Sequence, residues 1–315
     1  MQLQIDEQQQ EVKDHGHYEF PVFISQEVLS RYERGSFIWH WHTEVELTLV
    51  VEGQISYQVN ERVYELKAGD GLFCNSNALH TGRMKDKQDC YYISITFHPR
   101  ILYGFEGSLI WKKFVQPMLS DPACASMVFH RETSWQEEIL GWLDELYTEY
   151  LKPGMGYEME VQQNLSKIWL SLFENVYAVS QREKTKSGKE RPGREKGAAE
   201  NRNIERIRQI LAFIQEHYME KITLEDIAGQ VHLCRSECCR FFKNYMQRSL
   251  FDYLLYYRIE KSLPLLGEHH LSVTETAERT GFSSPEYFAK VFREQMGCTP
   301  SFYRSGREKK NQNPI

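Results

Sequence analysis

The sequence is first narrowed by what it lacks. It has no apolar run of membrane-spanning length and no apolar signal region at its start, so neither membrane insertion nor export is expected, and a cytoplasmic location is. Cysteine is sparse: Cys74, Cys90, Cys124, Cys234, Cys238, Cys239 and Cys298 form an odd, scattered set. That pattern suits a reducing compartment and no disulfide framework. The trio Cys234, Cys238 and Cys239 lacks the second matched pair of a zinc site and reads as small packing residues. Large apolar side chains are absent from residues 181–201. That stretch cannot bury enough surface to order itself, and it reads as a flexible linker.

Positive charge is also short overall, with a net charge of −6, but the deficit is local. Residues 1–180 hold 14 Lys+Arg against 26 Asp+Glu, whereas residues 202–315 hold 17 against 14. Nucleic-acid affinity follows local cationic surface and not the total, so the C-terminal part remains a candidate for DNA.

That C-terminal part repeats itself. The run Ile222 to Leu233, followed by Phe242 and Tyr253, recurs about fifty residues later as Leu271 to Phe282, followed by Phe292 and Tyr303, which marks an internal duplication. In each copy Thr223 or Ser272 stands three residues before Asp226 or Glu275, the signature that opens a helix. A small residue, Ala228 or Ala277, and a tight turn follow, and a second helix begins near Arg235 or Pro285. Two short helices crossing at a small residue make a helix-turn-helix, here twice, over about 222–244 and 271–294. The amphipathic stretch Leu250 to Leu266 is the expected spacer between them. Pro264 is expected to bend it or stop it early, near Leu263.

Ile222 to Ala228, Phe242, Lys243, Tyr253, Arg258, Gly281, Phe282, Tyr287, Phe288, Phe292, Thr299, Pro300, Tyr303 and Arg304 together resemble the DNA-binding domain of the AraC/XylS family of bacterial transcription regulators. The resemblance implies that the second helix of each unit enters the major groove of double-stranded promoter DNA. Equivalent readers would then lie about one DNA turn, roughly 34 Å, apart. By family position the base-facing residues are Arg235, Ser236, Cys239 and Arg240 in the first unit, and Ser284, Pro285, Glu286, Ala289 and Lys290 in the second. Arg240 suits a bidentate contact to guanine, with a phosphate contact as the alternative. Phe241, Phe242, Phe288 and Phe292 stand at helical spacing and read as core.

The N-terminal region alternates instead. Ile55, Tyr57 and Val59 are followed by a turn at residues 60–62, a return over Val63 to Leu66, a second turn at 67–70, and Ile93, Ile95 and Phe97. Short strands with such turns argue for a β-sandwich or barrel. His40, His42, Glu46 and Gly53 fit the first motif of the cupin barrel. Gly69, Asp70 and His80 keep part of the second, with Asn75 and Asn77 at its proline and glycine positions. Residues 40, 42 and 46 are expected on one strand face, converging with His80. Three imidazoles and a carboxylate suit a divalent transition metal; they also suit hydrogen bonding to a polyhydroxylated or carboxylated ligand. Trp39 and Trp41 are expected to pack outward under a helix.

Leu165, Ile168, Trp169, Leu172, Phe173 and Val176 lie at helical intervals. This stripe either packs on its own domain or, as the resemblance implies, dimerises the protein. The expected architecture is α+β and multidomain: a cupin-like ligand-sensing barrel over residues 1–105, a helical dimerisation region over 106–180, the linker over 181–201, and an all-α DNA-binding domain over 202–315. The expected function is a ligand-responsive regulator of carbohydrate or related metabolite genes. Its expected partners are promoter DNA, a small-molecule effector such as a sugar, a second copy of the chain and, for an activator, RNA polymerase. The alternative is a metal-dependent cupin enzyme fused to a DNA-binding tail, for which the sequence offers ligands but no distinct catalytic pair.

Overall fold

A computed structural model describes residues 2–6, 8–186, 192–268 and 271–305, with the backbone alone over 183–186 and 192–201. The chain divides into two compact units, Met1–Glu205 and Arg206–Ile315.

In the first unit one long strand organises two sheets. Strand β3 (Val45–Val59) pairs through its first half with β5 (Gly71–Cys74) and β7 (Cys90–Phe97), and through its second half with β4 (Arg62–Lys67) and β6 (His80–Met84). The sheets are completed by β1 (Val22–Val28) on β7, β2 (Ser36–His40) on β6, and β8 (Ser126–Phe129) on β5. The strand changes sheet where its register with β7 slips between Val50 and Glu52. Gly53 follows with φ +79°, and a Cβ there would collide with the Asp89 carbonyl oxygen, so only glycine fits the bend.

Alternation then sorts side chains between the two faces of the first sheet. Val45, Leu47, Leu49, Ile93, Ile95 and Phe97 join the core against the helices. Their neighbours Glu46, Ser94 and Thr96 face a cavity instead. The covering helices are α1 (Arg100–Tyr103), α2 (Gln116–Leu119), α3 (Ser134–Leu151) and α4 (Tyr157–Leu172). The stripe Leu165, Ile168, Trp169 and Leu172 is buried in this same core, with Phe173 and Val176 packed beside it. Its apolar face is therefore taken by its own domain and is not open to a second chain. This corrects the idea of dimerisation through that stripe, because the β-sheet supplies the apolar partner the stripe needs.

Beyond a π-helical turn, Phe173–Tyr177, lie α5 (Ala178–Lys186) and α6 (Pro192–His217). Part of the expected linker, residues 187–191, lies outside the described residues. On either side the backbone is helical. Ala, Glu, Lys and Arg favour helix without any apolar face, and Pro192 suits a first helical position.

The second unit carries the repeat. Helices α7 (Leu224–Gln230) and α8 (Arg235–Met246) form the first pair, α10 (Val273–Arg279) and α11 (Pro285–Met296) the second, with α9 (Leu250–Leu266) between them. Both capping boxes form, Thr223 with Asp226 and Ser272 with Glu275. Phe242, Phe288 and Phe292 are fully buried, as is Ala277. Helix α9 does not stop at Leu263: it runs through Pro264 to Leu266. The proline sits in the last turn, where one hydrogen bond is lost, and buried Leu263 and Leu266 hold that turn in the core. Arg258 ties α9 to the end of α6 by donating to the carbonyls of Tyr218 and Glu220, both at 2.7 Å.

Candidate effector and cation site

His40 ends β2 and stands opposite His80 at the start of β6. His42 lies in the bend between β2 and β3, and Glu46 is on β3. The four do converge, with one ligand atom from each lying within 4.8 Å of the others, and all four are buried. The expected single strand face is not how they meet: the chain turns between His40 and Val45, so the residues come from three elements and a bend.

Each imidazole is oriented by its backbone. The Nδ1 atoms of His40, His42 and His80 lie 3.0, 3.1 and 2.9 Å from the carbonyl oxygens of Ile38, Glu44 and Ala78. A carbonyl only accepts, so each Nδ1 carries a hydrogen, and the Nε2 atoms are left for the centre. There His42 Nε2 lies 3.3 Å and His80 Nε2 3.6 Å from Glu46 Oε2. The other oxygen, Oε1, accepts from Tyr57 at 2.9 Å and Thr48 at 3.2 Å. Burial acts to raise the Glu46 pKa, but the adjacent His42 and His80 rings outweigh it and hold the carboxyl ionised. Burial, aided by the neighbouring His80 and His42, holds His40 well below the usual histidine range.

The donor set fits a divalent transition metal. A nitrogen lone pair and a carboxylate oxygen 3.3 Å apart suit a proton or a cation shared between them, and one proton bridges one imidazole only. His80 Nε2 is buried without a hydrogen-bond partner. A single cation held by His40, His42, Glu46 and His80 would satisfy all three nitrogens and the carboxylate together. Bound there, it would act as a Lewis acid toward an oxygen ligand.

His40 and Glu46 also line a cavity of about 360 Å³. Hydroxyls and a carboxylate from the strands surround it (Ser25, Glu27, Tyr92, Ser94 and Thr96), together with Tyr32 and the rings of Phe23 and Phe37. The remaining wall is the N-terminal segment, which brings Gln2, Gln4, Glu11, Lys13 and His15. That segment is fastened to Trp41, whose indole N–H donates to Gln8 O at 2.8 Å and whose backbone pairs with Gln9 and Glu11. Trp41 thus packs beneath the N-terminal segment and not beneath a helix. Its contribution to the cavity was not legible in the sequence, because the first twenty residues show no strand or helix period. His15 lies between two carboxylates, 3.2 Å from Glu11 and 3.7 Å from Glu44. Burial lowers its pKa, but hydrogen bonds to both override this and bring it to about 9. Glu44 correspondingly falls to about 2, the bond from His15 outweighing burial.

In the second unit Arg235, Ser236 and Arg240 are exposed on α8, and Cys239 is partly so. Arg235 is engaged with Glu225 on α7 at 2.6 Å. Cys234 is exposed and Cys238 buried, so only part of the cysteine trio packs. On α11, Glu286 and Lys290 are exposed, and Ser284 and Ala289 partly buried. Ser284 caps the helix by accepting from Tyr287 N at 3.2 Å, Pro285 occupies its first turn, and Lys290 lies 4.0 Å from Glu294.

Residues 27–169 match the AraC-like ligand binding domain, and residues 227–306 a helix-turn-helix domain. The chain is 32% identical over 300 residues to the HTH-type transcriptional regulator YdeC of Bacillus subtilis (strain 168), covering 95% of this chain and 97% of that one. It is 22% identical over 276 residues to the melibiose operon regulatory protein of Escherichia coli (strain K12), with 87% and 85% covered. Among solved structures it is similar to the DNA-binding domain of the global transcriptional factor AdpA in complex with a target DNA. That match has 30% identity and a TM-score of 0.32, covering 33% of this chain and 95% of the other. With both of its units matched and a relative aligned over nearly its whole length, the chain belongs to the AraC/XylS family of transcriptional regulators, its cupin-like ligand-binding domain followed by a helix-turn-helix DNA-binding domain.

Proposed function

We propose that a small polyhydroxylated metabolite, a carbohydrate or a near relative, occupies the barrel cavity and changes how the C-terminal domain occupies promoter DNA. The observation that carries this is the cavity's lining. Hydroxyls of Ser25, Tyr32, Tyr92, Ser94 and Thr96, the carboxylates Glu27 and Glu46, and two phenyl rings suit the hydroxyl edges and apolar faces of a sugar. Similarity to a melibiose operon regulatory protein supports the same ligand class. The His40, His42, Glu46 and His80 cluster lies at one side of that cavity and holds a divalent cation, which would present an open position to the effector's oxygens.

In the DNA-binding domain Arg235, Ser236, Cys239 and Arg240 form the stronger reader, and Ser284, Pro285, Glu286 and Lys290 the weaker, more acidic one. Arg235 exchanges Glu225 for DNA on binding. The protein acts in the cytoplasm as a homodimer, contacting RNA polymerase where it activates, and is a regulator and not an enzyme. In support, its relatives are transcriptional regulators. Among the described residues no helix is long and apolar enough to cross a membrane.

Thermal-shift screening of the full chain against sugars and related metabolites tests the effector. A true ligand raises the melting temperature in a concentration-dependent way. A flat response across carbohydrates, with a shift from another class, would replace the ligand named here. Turnover of a shifted sugar by the cation-loaded protein would favour the enzyme reading instead.

A further inference from the structure

We propose that Glu11, carried by the N-terminal segment, is a fifth donor to the cation held by His40, His42, Glu46 and His80, so that cation binding fastens this segment over the barrel. The inference rests on the cation reading above and extends it to a residue outside the barrel strands.

Geometry supplies the first reason. Glu11 Oε2 lies 4.0 Å from His40 Nε2, the nitrogen turned toward the cluster, and the Glu11 side chain is only 6% exposed. Two donors each about 2.0–2.2 Å from one ion lie no more than about 4.4 Å apart. The separation from His40 falls within that limit, and to join the four ligands that lie within 4.8 Å of one another the Glu11 carboxylate turns from His15 toward them.

Charge supplies the second. A dication among three neutral imidazoles and Glu46 alone would leave a net positive charge in a buried site, which is costly without a counter-charge. Glu11 removes it. Its present partner, the His15 imidazole, keeps Glu44 at 3.7 Å when Glu11 turns to the cation.

The third reason is the tether. Trp41, between the two ligands His40 and His42, accepts from Glu11 N at 2.9 Å and donates to Gln9 O at 3.0 Å. The backbone that carries Glu11 is thus registered to the tripeptide that carries two ligands. Just beyond these bonds the chain is open to solvent: Val12 is 61% exposed, and Lys13, also exposed, lies over the Phe23 ring at 3.9 Å.

The test uses the full-length wild-type protein, E11Q, E11D and H42A. Mn²⁺ or Ni²⁺ is titrated calorimetrically, and trypsin cleavage after Lys13 is followed by mass with and without the cation. Wild type is expected to bind one equivalent and to be cleaved several-fold more slowly when loaded. E11Q should bind about tenfold more weakly and lose the protection, E11D should fall between, and H42A should not bind. Melting curves of cation-free E11Q matching wild type show that the loss is not one of folding. Should E11Q equal wild type in both affinity and protection, Glu11 is no donor while the cation reading stands. Should wild type bind neither metal, both fall together.

Discussion

Arg240 is the side chain whose replacement separates reading from mere attraction. It is exposed on α8, the second helix of the first helix-turn-helix, and as the proposed reader its guanidinium would meet either a guanine edge or a phosphate. Replacing it with alanine is expected to cost about 1–3 kcal/mol of operator binding and to relax preference at one position of the site. Gel-shift titrations on the operator and on random DNA check this, and an equal loss on both would assign Arg240 to a phosphate. Some of the residue-level chemistry was legible in the sequence. The His40, His42 and Glu46 spacing announced a cluster, and buried Phe242, Phe288 and Phe292 were evident from their helical interval, whereas Phe241, read as core on the same ground, is only half-buried. Glu11 and His15 were not, because the segment that carries them is held at the site by hydrogen bonds of Gln8, Gln9 and Glu11 with Trp41 that no periodic pattern encodes.

Elements carry the next level, where two local devices have measurable consequences. Gly53 lets β3 bend from one sheet to the other at φ +79°. Gly53→Ala should therefore destabilise the barrel by more than about 1 kcal/mol, read as a lower midpoint in urea unfolding. The Thr223–Asp226 capping box opens α7, and its bonds from Thr223 lower the Asp226 pKa below its ordinary 3.8. A depressed carboxyl stabilises the fold above its unfolded value and loses that contribution as pH falls through the native one. Wild type should thus melt above Asp226→Asn at neutral pH, and the gap should begin to close as pH falls below about 3.8; a gap that does not narrow on further acidification would contradict the cap. The repeat, its capping boxes and the alternating strands were all readable from local pattern. Two features of tertiary origin were not. Helix α9 continues through Pro264 because Leu263 and Leu266 are buried on either side of it. The stripe on α4 is spent on its own sheet, a choice that periodicity alone leaves open.

At the scale of the whole molecule the two units divide the labour by composition. The acidic N-terminal part encloses a polar cavity beside three oriented imidazoles, and the more basic C-terminal part displays duplicated reading helices. Coupling between them requires that the effector bind two states of the protein with different affinity. On the function proposed above His42 is the residue to change, because it belongs to the cluster and lies far along the sequence from the residues proposed to face DNA. The most direct measurement is DNase footprinting of operator DNA by full-length wild type and H42A, each with and without the sugar identified by thermal shift. The expected result is a protected operator for both proteins and an effector-dependent change in protection for wild type alone. An H42A protein that responds to the sugar as wild type does would contradict the assignment of the barrel cluster as the sensor.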